Sequence, residues 1–244
     1  MIKISLEPEY VMKIGNFSIS NTLICSWITI LILVFLTFLV RKSFKKIPKG
    51  KSLQNLFEAL IEKILNYIET VAGSRSLAQE VFPLIATFFI YIVSENLLAL
   101  LPGFLGALKI ETPEGTFPLL KSPNADLNST LALALISVFS IQYFGIKTLG
   151  FKRYLKRFFN FASPLKWIIG IFELLSDLTK ILSLSLRLFG NVLAGEVLLL
   201  TVAFFLPYFL PLPFMILEIF VGIIQAFIFA TLSLVFIKSA QMEF

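Results

Sequence analysis

The chain has 244 residues, 57% of them hydrophobic, and its mean hydropathy is +0.90. Several apolar runs approach the ~20 residues that cross a bilayer as a helix, which excludes an ordinary soluble enzyme. The formal net charge of +6 does not indicate nucleic-acid binding, because the basic residues cluster at the ends of apolar runs, where they mark membrane topology. With one cysteine and no histidine, an intrachain disulfide and the usual zinc or haem sites are excluded, so neither a metal nor another cofactor is predicted.

The hydropathy pattern predicts an all-α polytopic membrane protein with five membrane-crossing helices and one amphipathic surface helix. We expect residues 1–244 to form a single integral membrane domain. The predicted crossings are about 22–40, 81–101, 127–146, 167–206 and 214–237, and the amphipathic helix is about 53–71.

Basic residues follow the first and third predicted crossings, which makes both of those loops cytoplasmic by the positive-inside rule. The N-terminus is therefore predicted outside and the C-terminus in the cytoplasm. Met1 to Gly15 has a mixed composition, so no cleavable signal peptide is expected.

The amphipathic segment carries apolar residues at helical spacing, among them Leu60, Ile64 and Ile68, with glutamates between them. It is too polar to span a membrane and is expected to lie along the cytoplasmic surface or against another helix, ending at Gly73.

The fifth crossing, from Trp167 to Leu206, contains no helix breaker except isolated glycines. Forty helical residues measure about 60 Å, twice the hydrocarbon thickness. The helix is therefore either strongly tilted or broken near Gly190 or Gly195. Three prolines are expected to form the turn that follows, namely Pro207, Pro211 and Pro213.

Arg187 lies inside this apolar crossing. A charge at mid-membrane depth costs at least ~2.5–3.5 kcal/mol on insertion scales, so such a residue tends to face a partner or a water-filled path and marks ion movement.

Polar residues share one face of this helix with Arg187, at spacings of three and four. Glu196, nine residues beyond Arg187, falls on the opposite face. The shared face carries Glu173, Ser176, Lys180, Ser183, Arg187 and Asn191. Asp177 lies three residues before Lys180, and the two charges could simply neutralise one another.

In the last helix, Glu218 and Gln225 are seven residues apart and share a face. Because that helix runs antiparallel to the fifth, Glu218 could meet Glu196 near the outer end, and a pair of carboxylates there suits a proton path. Glu80 and Glu95 lie near the ends of the second crossing, where interfacial solvation is the expected role.

The segment from Ser185 to Glu196, with the letters SLRLFGNVLAGE, resembles the signature of subunit a of the F-type rotary ATP synthase. The segment from Gln225 to Phe229 is similar to that family as well. The resemblance covers nearly the whole chain and is weakest in the first 20 residues.

The resemblance implies that the last two helices form a long tilted hairpin on a ring of c subunits, with a b-type peripheral stalk as a second partner and lipid around them. Arg187 would be the stator charge facing the carboxylate of each c subunit. Asn191, Glu196, Glu218 and Gln225 would line an outer half-channel, and Glu173, Ser176 and Ser183 an inner one.

On this interpretation the chain has no catalytic site of its own and contributes proton transport to ATP synthesis. Glutamate at both 196 and 218, where some relatives have histidine, favours a bacterial inner membrane over an organelle.

The default transported ion is the proton, and sodium stays open. The alternative is a self-contained cation-coupled secondary transporter, which five crossings without an inverted repeat disfavour.

Overall fold

The computed structural model is built mainly of long helices, five of which are long and apolar enough to cross a membrane. The predicted class of an all-α polytopic membrane protein is thereby confirmed. The structure describes residues 10–14, 17–43, 53–100, 109–112, 115–118, 121–158, 164–205 and 209–242.

The described helices follow the chain in the order in which the sequence predicts them, with one short addition, α5. A 3-10 turn at Pro123–Ala125 precedes α4. The helices are α1 Asn21–Ser43, α2 Leu53–Ala72, α3 Arg75–Ala99, α4 Leu127–Leu149, α5 Phe151–Phe158, α6 Pro164–Phe205 and α7 Pro211–Ala240.

Two short antiparallel hairpins, which the hydropathy pattern does not predict, lie before α1 and between α3 and α4. Their strands are only four or five residues long. Alternation of apolar and polar residues over so short a stretch is not a recognisable strand signal in a chain dominated by long apolar runs. The strands are β1 Tyr10–Ile14, β2 Phe17–Ser20, β3 Lys109–Thr112 and β4 Gly115–Pro118.

The junction between α2 and α3 lies at Gly73, as predicted. Its φ of +84° is a left-handed conformation that favours glycine, and its N–H donates to the Glu69 carbonyl at 2.8 Å. Ser74 then caps α3 by accepting from the Leu77 N–H at 3.4 Å. Because of this cap α3 begins at Arg75, six residues before the predicted start at Val81.

Helix α6 is continuous through Gly190 and Gly195, which excludes the alternative of a break at either glycine. Its 42 residues correspond to about 63 Å. Pro207 lies outside the described residues, whereas Pro211 and Pro213 belong to the first turn of α7. Proline is tolerated there because first-turn N–H groups have no partner within the helix.

Helices α3, α4, α6 and α7 pack into one bundle with two apolar clusters, and α2 joins the first cluster. Ile68, Ile141 and Leu234 are fully or almost fully buried in the first cluster, and Leu188 and Ala226 in the second. Two hydroxyl pairs connect the helices, Ser137 with Ser233 at 2.7 Å and Thr130 with Ser185 at 3.1 Å. Such pairs supply the hydrogen bonds that these hydroxyl groups could not form with lipid tails.

Among the described residues, helix α1 packs against the bundle by its first turns, where Cys25 and Thr29 are buried. The Thr22 hydroxyl donates at 2.8 Å to Asp126, whose carboxylate also caps α4 through the Asn128 N–H at 2.9 Å. The later half of α1 is exposed, with Phe38 64% accessible. One end of α1 is therefore tied to the bundle beside the start of α4.

Candidate ion-transfer site

Arg187 lies on the exposed side of α6, so its guanidinium is available to groups outside this chain. Its Nη2 donates to the Ser183 hydroxyl, one turn earlier, at 3.3 Å. Within the part of the chain that the structure describes, no carboxylate pairs with it. A charge in an apolar helix without an internal counterion indicates an external partner.

Small residues continue the exposed face of α6 beyond Arg187. Gly190 and Ala194 are exposed, and a Cβ placed on Gly190 would meet open space. A face of small residues permits the backbone of another helix to approach closely. The exposed side of α6 therefore combines one cation with a surface shaped for helix packing.

Gln225 on α7 lies beside Arg187, where both line a cleft of about 170 Å³ between α6 and α7. Leu184 and Leu188 are buried on the same stretch of α6. Gln225 belongs to the predicted outer set, and the structure places it next to the arginine.

Glu196 and Glu218 both line a second cleft, formed by α3, α6 and α7, whose empty space of about 310 Å³ is partly open to the outside. The Glu218 carboxyl lies directly against Gly195, because a Cβ built there would overlap it. The expected meeting of Glu218 with Glu196 is therefore found. Eight residues separate Arg187 from Gly195, which is about 12 Å along α6.

Asn96 on α3 is the third polar residue of this larger cleft, and it is buried. Its Nδ2 donates to the Gly222 carbonyl of α7 at 3.0 Å, and its Oδ1 accepts from Asn124 at 2.8 Å. Asn96 is not among the site residues predicted from the sequence. Its burial depends on the packing of three separate elements.

The turn before α4 also reaches Glu196. The Ser122 backbone N–H donates to the Glu196 carboxyl, and Lys121 lies within electrostatic range of it. These residues come from the connection between α3 and α4, where no site residue is predicted from the sequence. The predicted Asn191 is half-buried and lines neither cleft.

The predicted inner residues lie along the first half of α6. The structure pairs Glu173 with Arg157 of α5, while Ser176 is half-buried and Ser183 is exposed beside Arg187. Because Ser183 is ten residues from Glu173, the three side chains do not form one compact cluster, and their axial spread is about 15 Å.

A second inner group joins α4, α5 and α6. Lys180 binds Asp177 at 2.7 Å, as the neutralising alternative anticipates, and Gln142 donates to Asp177 at 2.6 Å. The Tyr154 hydroxyl donates to Gln142, and burial raises the pKa of Tyr154 to about 12. The tyrosine therefore stays protonated as a hydrogen-bond donor at neutral pH.

Glu95 differs most from its expected role. Interfacial solvation is the expectation, yet its side chain is only 1% exposed. The Ser26 hydroxyl of α1 donates to one carboxyl oxygen at 3.3 Å. A residue near a helix end is solvated only where no neighbouring element covers its side chain. Here the first turns of α1 cover the side chain of Glu95.

No metal centre is formed by the described residues: no group of three or more histidine, cysteine or acidic side chains there could hold an ion. The chemistry that the described side chains support is proton transfer among carboxylates beside a fixed cation, which acts through its charge and keeps its own protons.

Comparison with known proteins adds a family match. The family model described as ATP synthase A chain matches residues 23–238. A chain called ATP synthase subunit a, chloroplastic, from Bigelowiella natans is 38% identical over 232 residues, which cover 95% of this chain and 90% of that relative.

Bacterial relatives match over similar lengths. ATP synthase subunit a of Syntrophobacter fumaroxidans is 37% identical over 238 residues, covering 96% of this chain and 89% of the relative. The subunit of the same name from Helicobacter pylori is 34% identical over 240 residues, covering 95% and 96%. The similarity therefore extends over nearly the full length of each protein.

Proposed function

The chain belongs to the ATP synthase A chain family, and we propose that it passes protons through two offset half-channels to and from a ring of c subunits. It is a proton-translocating membrane subunit of the Fo sector of F-type ATP synthase. The family match over residues 23–238 favours this function over a self-contained secondary transporter.

The observation that carries the mechanism is the exposed, internally unmatched charge of Arg187. Within the described chain its only hydrogen-bond partner is Ser183. A c-subunit carboxylate arriving at this face loses its proton, because the guanidinium stabilises the charged form. The same fixed charge repels a proton that would cross directly from one half-channel to the other.

The outer half-channel is assigned to Asn191, Glu196, Glu218 and Gln225. Glu196 and Glu218 share the larger cleft, and Gln225 lines the smaller cleft together with Arg187. Protons would pass from the carboxylate pair toward Gln225 and then to the ring. Each elementary charge that crosses is driven by ~2.3 kcal/mol per 100 mV.

The inner half-channel is assigned to Glu173, Ser176 and Ser183 on the cytoplasmic half of α6. Ser183 contacts Arg187, and Glu173 pairs with Arg157 at the far end of this row. The row approaches the arginine from the side opposite to the outer cleft, as two paths that do not meet require.

The partners that this mechanism needs are the c-ring at the exposed face of α6, a b-type stalk, and lipid around the remaining helices. A single membrane domain with α6 strongly tilted suits this role, because about 63 Å of helix exceeds the ~30 Å hydrocarbon core. Neither a cofactor nor nucleic acid is needed.

We place the protein in a bacterial inner membrane with the N-terminus outside and the C-terminus in the cytoplasm. The charge distribution supports this orientation, because basic residues end α1 and populate α5. Glutamate at both 196 and 218 supports the bacterial assignment.

The test is Arg187→Ala in the assembled complex, with ATP-driven proton pumping measured in membrane vesicles. We expect pumping to fall to background, because the ring carboxylate loses its only fixed counter-charge. Arg75→Ala is the control, since Arg75 forms an exposed ion pair with Glu69 that is worth at most ~1 kcal/mol. Normal pumping by the Arg187 variant would defeat the proposal.

A further inference from the structure

The carboxylate of Glu95 is buried close to the outer cleft and has no proposed role. It is 1% exposed, and its Oε1 accepts from the Ser26 hydroxyl at 3.3 Å. The Tyr91 side chain, one turn earlier on α3, lies within electrostatic range of the carboxyl group. Its Oε2 has no hydrogen-bond partner among the described residues.

Two further buried oxygens without partners among the described residues lie in the turn before α4. They are the Ser122 hydroxyl, in a residue 2% exposed, and the Asn124 Oδ1, in a residue that is fully buried. Buried acceptors are seldom left unpaired, and in polar sites ordered water commonly supplies the missing bonds. Three such oxygens in one region indicate a hydrated path.

Short contacts connect this region to the outer cleft. Asn124 donates to Asn96, the residue that follows Glu95 and lines the cleft. The Ser122 N–H donates to Glu196 itself. Cys25 lies within electrostatic range of both Glu95 and Glu196, and its thiol is hydrogen-bonded to the backbone of Lys121. Glu95 is therefore one short relay away from the carboxylate pair.

We infer that Glu95 is a further proton carrier of the outer half-channel, receiving protons from outside and passing them through water at Ser122 and Asn124 to Glu196. This inference rests on the proposed function. In the step, protonated Glu95 gives its proton to a water molecule, which gives one of its own to the Glu196 carboxylate. Glu95 is left as a carboxylate and regains a proton from the outer side.

The charged and titratable groups around Glu95 come from several elements. Tyr91 lies on the same helix, Cys25 on α1, Lys121 on the turn before α4 and Glu196 on α6. A purely structural acceptor would need no proton of its own. Glutamine at position 95 keeps the shape and the acceptor for Ser26, but it cannot carry a proton.

The first experiment compares Glu95→Gln with Glu80→Gln in membrane vesicles whose complexes have had the catalytic head removed, measuring passive proton conduction. Glu80 is the matched control, because it is an exposed carboxylate on the same helix that pairs with Lys147. We expect Glu95→Gln to lower conduction by about a hundredfold, the low end of what a positioned proton-transfer group contributes. Wild-type conduction by the Glu95 variant would overturn the inference.

The single native cysteine offers a second measurement that needs no variant at Glu95. Cys25 is 2% exposed, so a thiol-binding ion reaches it only through water between the helices. We expect silver ion added from the outer side to inhibit proton conduction in the wild type and to leave Cys25→Ala unaffected. Equal insensitivity of both proteins would overturn the hydrated path, even if Glu95→Gln does not assemble.

The Arg187→Ala variant separates this inference from the proposed function. Loss of pumping on changing Arg187, together with full conduction by Glu95→Gln, would leave the half-channels in place and remove only Glu95 from them. Unchanged pumping by the Arg187 variant would remove both.

Discussion

At the scale of single residues, the outer cleft depends on the missing side chain of Gly195. The Glu218 carboxyl occupies the space that a Cβ at this position would need. Glycine therefore lets a carboxylate from α7 lie against the backbone of α6, beside Glu196. This is a requirement for close approach, since the residue is helical and has no unusual φ.

We predict that Gly195→Ala lowers proton pumping several-fold while the complex still assembles. The added methyl displaces the end of a flexible side chain, so its effect on stability stays within about 1–3 kcal/mol, the usual cost of overpacking. Pumping in vesicles and the amount of this chain in the purified complex measure the two effects.

The double variant Gly195→Ala with Glu218→Ala is the control for this prediction. Removing the Glu218 carboxyl removes the overlap, so the two substitutions should be strongly non-additive in their effect on pumping. Additive effects would mean that Gly195 acts through some other neighbour.

At the scale of elements, the short helix α5 is held to α6 by backbone proximity as well as by ion pairing. A Cβ on Gly170 would overlap the Phe158 carbonyl oxygen at the end of α5. Arg157 pairs with Glu173, one turn further along α6. The position of α5 therefore determines which cation reaches the inner row of α6.

We predict that Gly170→Ala destabilises the complex by about 1–3 kcal/mol, because the obstructing atom is backbone and cannot rotate away. Heat-induced loss of this chain from the purified complex measures the effect. Ile169→Ala is the control, since Ile169 is 55% exposed and its truncation leaves the contact between α5 and α6 unchanged. Equal heat sensitivity of both variants would contradict this packing.

At the scale of the whole molecule, the described chain forms a bundle with extensive exposed apolar area. Two parts of that area are the face of α6 that carries Arg187 and the later half of α1, where Leu31, Phe35 and Phe38 are more than 60% accessible. Apolar area of this kind suits lipid or a neighbouring subunit. The cation distinguishes the first surface as the place for a partner with a carboxylate.

The proposed orientation makes a prediction at this scale. In a Cys25→Ala background, Lys152→Cys on α5 should react with a membrane-impermeant maleimide only in inverted vesicles. Lys109→Cys on β3 should react only in right-side-out vesicles, because the connection from α3 to α4 is proposed to lie outside. The reverse labelling pattern would contradict the orientation.

The sequence alone determined the properties that depend on residues close to one another along the chain. Apolar runs predict the helices that suit a membrane, Gly73 predicts the end of α2, and the motif around Arg187 predicts the family. Helical spacing also places Glu196 opposite Arg187, because 100° per residue is a property of any α-helix.

Only the tertiary structure decided which distant residues meet. Ser26 hydrogen-bonds to Glu95, 69 residues away, and Asn96 hydrogen-bonds to Gly222, 126 residues away. Arg157, on a helix that was not predicted, forms an ion pair with Glu173. These contacts arise from the relative rotation and depth of separate helices, and hydropathy says nothing about either. Burial of a polar side chain is set by what packs against it, so proximity to a helix end did not reveal that Glu95 lies inside the protein.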